Sequence, residues 1–170
     1  MAECPMTLLG KKMIETELHQ LIRVDREYIK QAISDARELG DLKENAEYHA
    51  AKERQSIIEG RIMDLQSKLA RARVINVGVM NSDKIVFGAT VTIYDGKKEV
   101  EATYQIVGED EAQNDPNKIS FSSPLGKSLI GKEAGDEVIV KAPKGDLTYE
   151  ILSFKYNWTQ LGFPNWITKQ

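Results

Sequence analysis

The chain has 170 residues, enough for one ordinary domain or two small ones. Its formal net charge is -3, so the chain lacks the basic character expected of a protein that wraps duplex DNA. A single cysteine, Cys4, excludes an internal disulfide, and no apolar run approaches the roughly 20 residues that a membrane helix needs. Since the N-terminus also lacks the pattern of a signal peptide, we expect a cytoplasmic protein without membrane association.

The first part of the chain predicts helix, and no strand pattern precedes residue 76. Thr7 is a plausible N-cap for the first helix. Apolar or small residues then recur at steps of four and three, with Asp25 as the one misfit. They are Leu18, Ile22, Ile29, Ala32, Ala36 and Leu39.

A second run has the alternating steps of three and four that are typical of a heptad seam. Its members are Tyr48, Ala51, Gln55, Ile58, Ile62, Leu65, Leu69 and Ala72. Two such helices joined by a short turn predict an antiparallel coiled-coil hairpin over residues 1–76, roughly 45 Å long, with its tip at 40–45. Small seam residues predict a narrow tip: Ala32, Ala36, Ala46, Ala50 and Ala51.

The bend carries Gly40, Asp41 and Glu44. Spacing alone favours a structural role, in which Gly40 ends the first helix with a left-handed residue and Asp41 and Glu44 form a capping box on the second. The two carboxylates also suit a hard cation such as Mg²⁺, which is bound by one or two carboxylates plus ligands from elsewhere. Both interpretations remain open on the spacing.

The second part predicts a compact, mostly antiparallel β domain with one short helix, over residues 80–156. Alternating stretches predict its strands, Asp95-Gly96 is a hairpin-turn signal, and "PLGKSLIG" predicts the helix, ended by Gly131. The last residues, 157–170, fit neither pattern and contain Trp158, Phe163 and Trp166. They predict either a loose tail or a docking segment.

Two long motifs resemble the signatures of one family. "ARELGDLKENAEYHAAKE" (Ala36–Glu53) and "SFSSPLGKSLIGKEAGDEV" (Ser120–Val138) are similar to those of the bacterial Gre transcript cleavage factors, and the tip resembles the GreA type. The resemblance covers residues 1–156. It implies an α+β fold, with a coiled-coil hairpin followed by an FKBP-like domain.

The resemblance also implies a function. Such factors bind bacterial RNA polymerase, insert the hairpin into its secondary channel and help its active site cut the 3′ end of backtracked RNA. The factor itself is not an enzyme. We therefore expect RNA polymerase and the nascent RNA 3′ end as partners, a monomer, and Mg²⁺ shared with the polymerase.

The roles implied for individual residues follow the motifs. Asp41 and Glu44 match the catalytic acids, with Asp41 as the metal ligand. Arg37 and Lys52 match a basic patch that attracts RNA, although pairing with Glu38 or Glu53 is an equal alternative. The remaining expectations are tip support from Gly40, Asn45 and Tyr48, and polymerase binding by Ser123, Pro124 and Gly126. Within the tip, Asn45 is expected to orient Glu44, Tyr48 to pack in the seam, and His49 to be a surface residue.

Three alternatives remain. A paralogue could occupy the same channel and inhibit polymerase, although the retained acid pair argues against it. The C-terminal fold could serve a chaperone or prolyl isomerase, although Phe121 alone makes a poor aromatic pocket. A structural coiled-coil adaptor would use the tip acids only as caps.

Overall fold

The computed structural model describes residues 2–156. Within them the chain divides into two compact units, one formed by residues 2–4 and 11–72 and the other by residues 5–10 and 73–156. The first is a helical hairpin and the second is built on a five-stranded sheet, which confirms the predicted fold class. The segment 157–170, with its two tryptophans, lies outside the described residues.

The first arm of the hairpin is helical from residue 8 to residue 38. It consists of α1 (Leu8–Gln20), a π-helical turn (Leu21–Asp25) and α2 (Arg26–Glu38). A π turn inserts an extra residue, and it therefore shifts the helix face that follows. Asp25, the misfit in the predicted seam, belongs to this turn. The return arm is α3 (Ala46–Ala70), whose 25 residues span about 37 Å.

The predicted seam of α3 is confirmed. Seven of its eight members lie in α3, none of the seven is exposed, and Ile62 and Leu65 are fully buried. The eighth, Ala72, is wrong as a helical seam position, because it begins a short strand after the helix has ended. Across the arms, Ile29, Ile33 and Ala51 form a buried cluster, and further partly buried side chains pack against it: Ala32, Tyr48 and Ile58. Apolar burial along this seam supplies the main stabilisation of the hairpin, because most helical stability in proteins comes from the packing of an apolar face.

Three predicted seam residues near the bend are wrong. Leu39 follows the last residue of α2, so helical spacing no longer applies to it, and it is 70% exposed. Ala46 begins α3 and Ala50 precedes the buried Ala51, and both are exposed. The narrowing at the tip therefore depends on Ala32, Ala36 and Ala51.

Two bidentate ion pairs join the arms. The Arg26 guanidinium donates to both Glu59 carboxylate oxygens at 2.7 and 2.8 Å, and Arg61 donates to both Glu17 oxygens at 2.6 and 2.9 Å. The hydrogen bond from Arg26 lowers the pKa of the Glu59 carboxyl below its ordinary value. Glu17 precedes the π turn and Arg26 follows it, so these fork-shaped contacts fix the register of the arms on both sides of the irregularity.

The prediction of no strand before residue 76 is wrong. Two short strands, β1 (Cys4–Thr7) and β2 (Ala72–Ile75), form a two-stranded sheet at the chain ends of the hairpin. Each has four residues, which is too few for an alternating pattern to be recognised beside long helices.

Thr7 caps α1 as predicted, since its Oγ1 accepts from the Gly10 N–H at 2.9 Å. The same hydroxyl donates to Glu111 Oε2 at 2.6 Å, and Lys118 Nζ donates to Glu111 Oε1 at 3.0 Å. All three side chains are buried, and a buried carboxylate needs such partners. This network accounts for the grouping of residues 5–10 with the second unit, whereas the predicted boundary placed them in the hairpin.

The second unit contains strands β3 (Thr90–Asp95), β4 (Val100–Val107), β5 (Lys118–Ser120), β6 (Glu137–Ala142) and β7 (Gly145–Lys155). Their order in the sheet is β5-β4-β3-β7-β6, and all neighbours are antiparallel except β4 and β5. The predicted helix is present as α5 (Pro124–Leu129). A second helix, α4 (Glu109–Gln113), was not predicted; it lies in the crossover that a parallel pair requires.

The core of this unit lies against one face of the sheet. Its members are Ile85, Ala89, Val91, Ile93, Ile106, Leu129, Val138 and Ile151. The Asp95-Gly96 signal correctly marks the β3–β4 hairpin, where Asp95 Oδ1 accepts from the N–H groups of Lys97 and Lys98. Among the described residues, the helices are too short or too polar to cross a membrane.

Replacement of a seam residue tests the source of hairpin stability. Ile29 is 2% exposed, so Ile29→Ala should lower the free energy of unfolding by about 2–5 kcal/mol through lost burial and a cavity. Urea unfolding followed by far-ultraviolet circular dichroism measures this change. Ile57 is 65% exposed on α3 and provides the matched control, since Ile57→Ala should change the value by less than about 0.5 kcal/mol. Equal losses in the two variants would contradict the assignment of the seam.

Candidate functional site

The bend occupies residues 39–45, between the end of α2 and the start of α3. The Leu39 N–H donates to the Ala36 carbonyl at 3.2 Å, and Gly40 follows with a φ of +131°. This positive φ confirms the predicted use of glycine at the end of the helix. A side chain at Gly40 would meet no atom within 4 Å, so the backbone conformation and not space requires glycine here.

The predicted capping box is wrong. Asp41 Oδ1 accepts from the N–H of Lys43 at 2.9 Å and so closes a turn within the bend. The N-cap of α3 is Asn45, whose Oδ1 accepts from the Tyr48 N–H at 3.0 Å. Because the Asp41 turn precedes the helix, α3 begins five residues after Asp41, and Glu44 lies outside it. An asparagine three residues before Tyr48 was a readable capping signal.

Asn45 also connects the two arms. Its Nδ2 donates to the Ala36 carbonyl at 2.6 Å, in the last turn of α2. One amide therefore satisfies a free N–H at the start of α3 and is a second donor to the Ala36 carbonyl, which also accepts from the Leu39 N–H. The expected role of orienting Glu44 is replaced by this clamp, since Ala36 and Tyr48 are the hydrogen-bond partners of the amide.

His49 stabilises the bend as well. Its Nε2 lies 3.0 Å from the Lys43 carbonyl oxygen, and since a carbonyl only accepts, the imidazole donates. The sequence prediction of a surface residue is right about exposure but missed this contact. The spacing of six residues has no established helical meaning, so no sequence signal pointed to it.

The two acids themselves project from a rigid bend into solvent. Asp41 and Glu44 are both exposed. Within residues 2–156, the Glu44 carboxylate has no hydrogen-bond or ion-pair partner, and no group of three potential metal-ligating side chains is close enough to hold an ion. One Asp41 oxygen is used in the turn. A hard cation at the bend would need ligands in addition to these two carboxylates.

The basic residues flank the bend on opposite arms. The Arg37 guanidinium carbon lies over the Tyr48 ring, 5.8 Å from its centroid, which replaces the alternative of pairing with Glu38. Lys52 Nζ donates to Gln55 Oε1 at 3.0 Å, which replaces pairing with Glu53. Both side chains are exposed, and their predicted contact with RNA stays a prediction.

The predicted polymerase-binding residues shape the start of α5. Ser123 Oγ accepts from the Gly126 N–H at 3.0 Å and donates to the Ser120 carbonyl at 2.7 Å, while Pro124 occupies the first turn. A Cβ at Gly126 would lie 2.1 Å from the Ser120 oxygen, so glycine is required. These contacts show that the three residues shape the start of α5. Their binding to polymerase stays a prediction.

Both parts of the chain match one protein family. Residues 4–74 match the family described as "Transcription elongation factor, N-terminal", and residues 80–156 match "Transcription elongation factor, GreA/GreB, C-term". The chain is 52% identical over 157 residues to the transcription elongation factor GreA of Halorhodospira halophila, an alignment that covers 92% of this chain and 99% of that protein. It is 54% identical over 153 residues to the transcription elongation factor GreA of Francisella philomiragia, with 89% and 96% covered.

Solved structures include a similar protein. GreA factor homolog 1 of Thermus thermophilus is 27% identical to this chain, and the superposition covers 89% of this chain and 98% of that one with a TM-score of 0.42.

The two hydrogen bonds of Asn45 can be separated by substitution. Asn45→Ala removes both, and the loss of the cap should speed hydrogen exchange of the Tyr48 amide by about fivefold. Asn45→Asp keeps an oxygen for that amide and removes only the donor to the Ala36 carbonyl, so Tyr48 should stay protected. Asn76 caps the turn at Val77–Val79 through the Gly78 N–H, and Asn76→Ala should leave Tyr48 unchanged. Equally fast exchange at Tyr48 in the Asn45→Ala and Asn45→Asp proteins would contradict the cap.

Proposed function

This chain belongs to the GreA/GreB family of transcription elongation factors, and we propose that it stimulates cleavage of the 3′ end of backtracked RNA by the active site of bacterial RNA polymerase. In this proposal the hairpin enters the secondary channel and the polymerase performs the reaction. The chain acts as a factor and not as an enzyme. Its setting is the bacterial cytoplasm, and it works as a monomer.

The exposed acid pair at the bend is the observation that supports this function most strongly. Asp41 and Glu44 stand at the turn of two long helices, without a pocket of their own. Isolated solvated carboxylates are weak general acids or bases, because nothing around them positions a substrate. They become useful when another protein provides the substrate and the remaining ligands. An inhibitor that merely fills a channel has no need of such a pair.

The two acids have distinct proposed roles. Asp41 would hold a Mg²⁺ ion shared with the polymerase, and its carboxylate is the hard oxygen ligand that this ion prefers. Bound there, Mg²⁺ supplies charge stabilisation for phosphoryl chemistry. Glu44 accepts a proton from, and orients, the water that attacks the RNA phosphate. Because Glu44 has no competing partner among the described residues, it gives up no bond to do so.

A ligand at Asp41 would disturb fewer hydrogen bonds than a ligand at a residue that caps a helix. Its turn uses Oδ1, on the Lys43 N–H, and Oδ2 remains for a ligand. Since Asn45 carries the cap of α3, engagement of Asp41 leaves the helix start intact. The bend can therefore keep one conformation in the free and the engaged factor, which lowers the entropic cost of assembling the site.

Other residues have supporting roles. Arg37 and Lys52 would contact phosphates of the extruded RNA, one from each arm. The region of Ser123, Pro124 and Gly126 would contact the rim of the polymerase channel.

Isosteric neutralisation of the acids tests the proposed roles. Asp41→Asn keeps the acceptor for the Lys43 N–H, and Glu44→Gln keeps the side-chain size. Each should lower the stimulated cleavage rate by about a hundredfold or more, the range expected for a lost catalytic group. Backtracked elongation complexes with Mg²⁺ and labelled RNA give this rate, and polymerase binding measured in parallel should be unchanged.

Glu38→Gln provides a matched control, because Glu38 is an exposed acid at the end of α2. The Glu38→Gln protein should stimulate RNA cleavage at the same rate as the unaltered protein. No stimulation by the unaltered protein would rule out the proposed function, and full stimulation by both Asp41→Asn and Glu44→Gln would rule out the proposed roles of the two acids.

A further inference from the structure

Arg37 and Tyr48 meet across the two arms, beside the bend. Arg37 is in the last turn of α2 and Tyr48 in the first turn of α3. The guanidinium carbon lies 5.8 Å from the ring centroid, within the distance of a cation–π contact. The family resemblance implied a phosphate contact for Arg37 and the seam predicted packing for Tyr48, and neither gave a sign that the two side chains touch.

The Tyr48 ring is itself held in place. It packs against the buried cluster of Ile29, Ile33 and Ala51, and its backbone N–H donates to Asn45. The His49 ring packs against it in a T-shaped arrangement, with centroids 5.7 Å apart and an interplanar angle of 64°. The ring therefore serves as a fixed support, while Arg37 is an exposed side chain with many rotamers of its own.

We propose that Tyr48 is a positioning residue that holds the Arg37 guanidinium ready for an RNA phosphate. The inference rests on the proposed function, because it specifies how a residue of that site engages RNA. A cation–π contact uses the ring face and consumes none of the five N–H donors of arginine. The guanidinium can then still form a bidentate pair with a phosphate, and less rotamer freedom is lost when it does so.

The contacts of Tyr48 favour this role over stacking on an RNA base. A base would need a free ring face. In the structure the ring is contacted by Arg37, by the His49 ring and by the apolar cluster. The aromatic face thus acts through Arg37.

Lys52 offers an internal comparison. It lies on the same helix as Tyr48, and its Nζ donates to Gln55. Its partner is an amide and not an aromatic ring, so its contribution to RNA binding should not depend on Tyr48.

A double-mutant cycle tests the coupling. Full-length protein is titrated onto backtracked complexes whose RNA carries a photoreactive 3′ nucleotide, and crosslinking to the factor gives the half-saturating concentration. Tyr48→Leu retains an apolar side chain without a ring face and should raise this concentration by about two- to fivefold, the factor of an exposed cation–π contact. Tyr48→Phe keeps the face and should behave as the unaltered protein.

The cycle with Arg37 separates positioning from simple packing. Arg37→Ala should weaken crosslinking and its dependence on salt, since a phosphate contact is lost. Adding Tyr48→Leu to Arg37→Ala should then have no further effect, whereas adding it to Lys52→Ala should give the full loss. Unfolding curves identify any variant that has lost the hairpin, and in that case Tyr48→Met replaces Tyr48→Leu in the cycle.

The possible failures are distinguishable. If the unaltered protein stimulates no cleavage, the proposed function fails. A different outcome is that the unaltered protein stimulates cleavage and crosslinks while Tyr48→Leu crosslinks equally well, or while Tyr48→Leu adds its full effect to that of Arg37→Ala. In either case Tyr48 does not position Arg37, and only the further inference is overturned.

Discussion

The hairpin depends on one narrow seam, because two helices packed side by side have no other place to bury apolar surface. The α3 side chains in this seam recur with heptad spacing and are the ones withdrawn from solvent. The opposite arm contains a π turn at Leu21–Asp25, and Ile29, Ile33 and Ala36 are buried after it. Bidentate pairs on both sides of the irregularity, Arg26 with Glu59 and Arg61 with Glu17, fix the resulting register.

The geometry of the bend follows from how the seam ends. Small side chains bring the helix ends close enough for one amide, that of Asn45, to contact Ala36 on one arm and Tyr48 on the other. Because Asn45 caps α3, neither Asp41 nor Glu44 is needed as the cap of that helix. Asn45 and His49 therefore hold the bend together with one Asp41 oxygen, while the second Asp41 oxygen and the Glu44 carboxylate are not used in these contacts.

The features that the sequence predicted correctly are those that depend on local spacing or on the periodic burial of side chains. The heptad of α3, the strands of the second unit and the glycine at the bend were all readable, since each depends on local spacing or on one backbone angle. The Thr7–Glu111–Lys118 network was not readable, because its residues are far apart in sequence and no periodicity relates them. At the bend, two patterns competed for the same helix start. The structure has the Asp41 turn and the Asn45 cap in place of the predicted capping box of Asp41 and Glu44. The Arg37–Tyr48 contact between the arms could be found only from the three-dimensional structure.

We propose that Asp41 shares a metal ion with the polymerase, and the Mg²⁺ dependence of cleavage can show whether it does. The cleavage rate of backtracked complexes is measured over a range of Mg²⁺ concentrations with the unaltered protein, Asp41→Asn and Glu44→Gln. If Asp41 is a ligand, Asp41→Asn should shift the half-maximal Mg²⁺ concentration upward by about tenfold, equivalent to about 1.4 kcal/mol of lost binding, and high Mg²⁺ should restore part of the rate. Glu44→Gln should lower the maximal rate without this shift. The same Mg²⁺ dependence in all three proteins would contradict a metal site at Asp41.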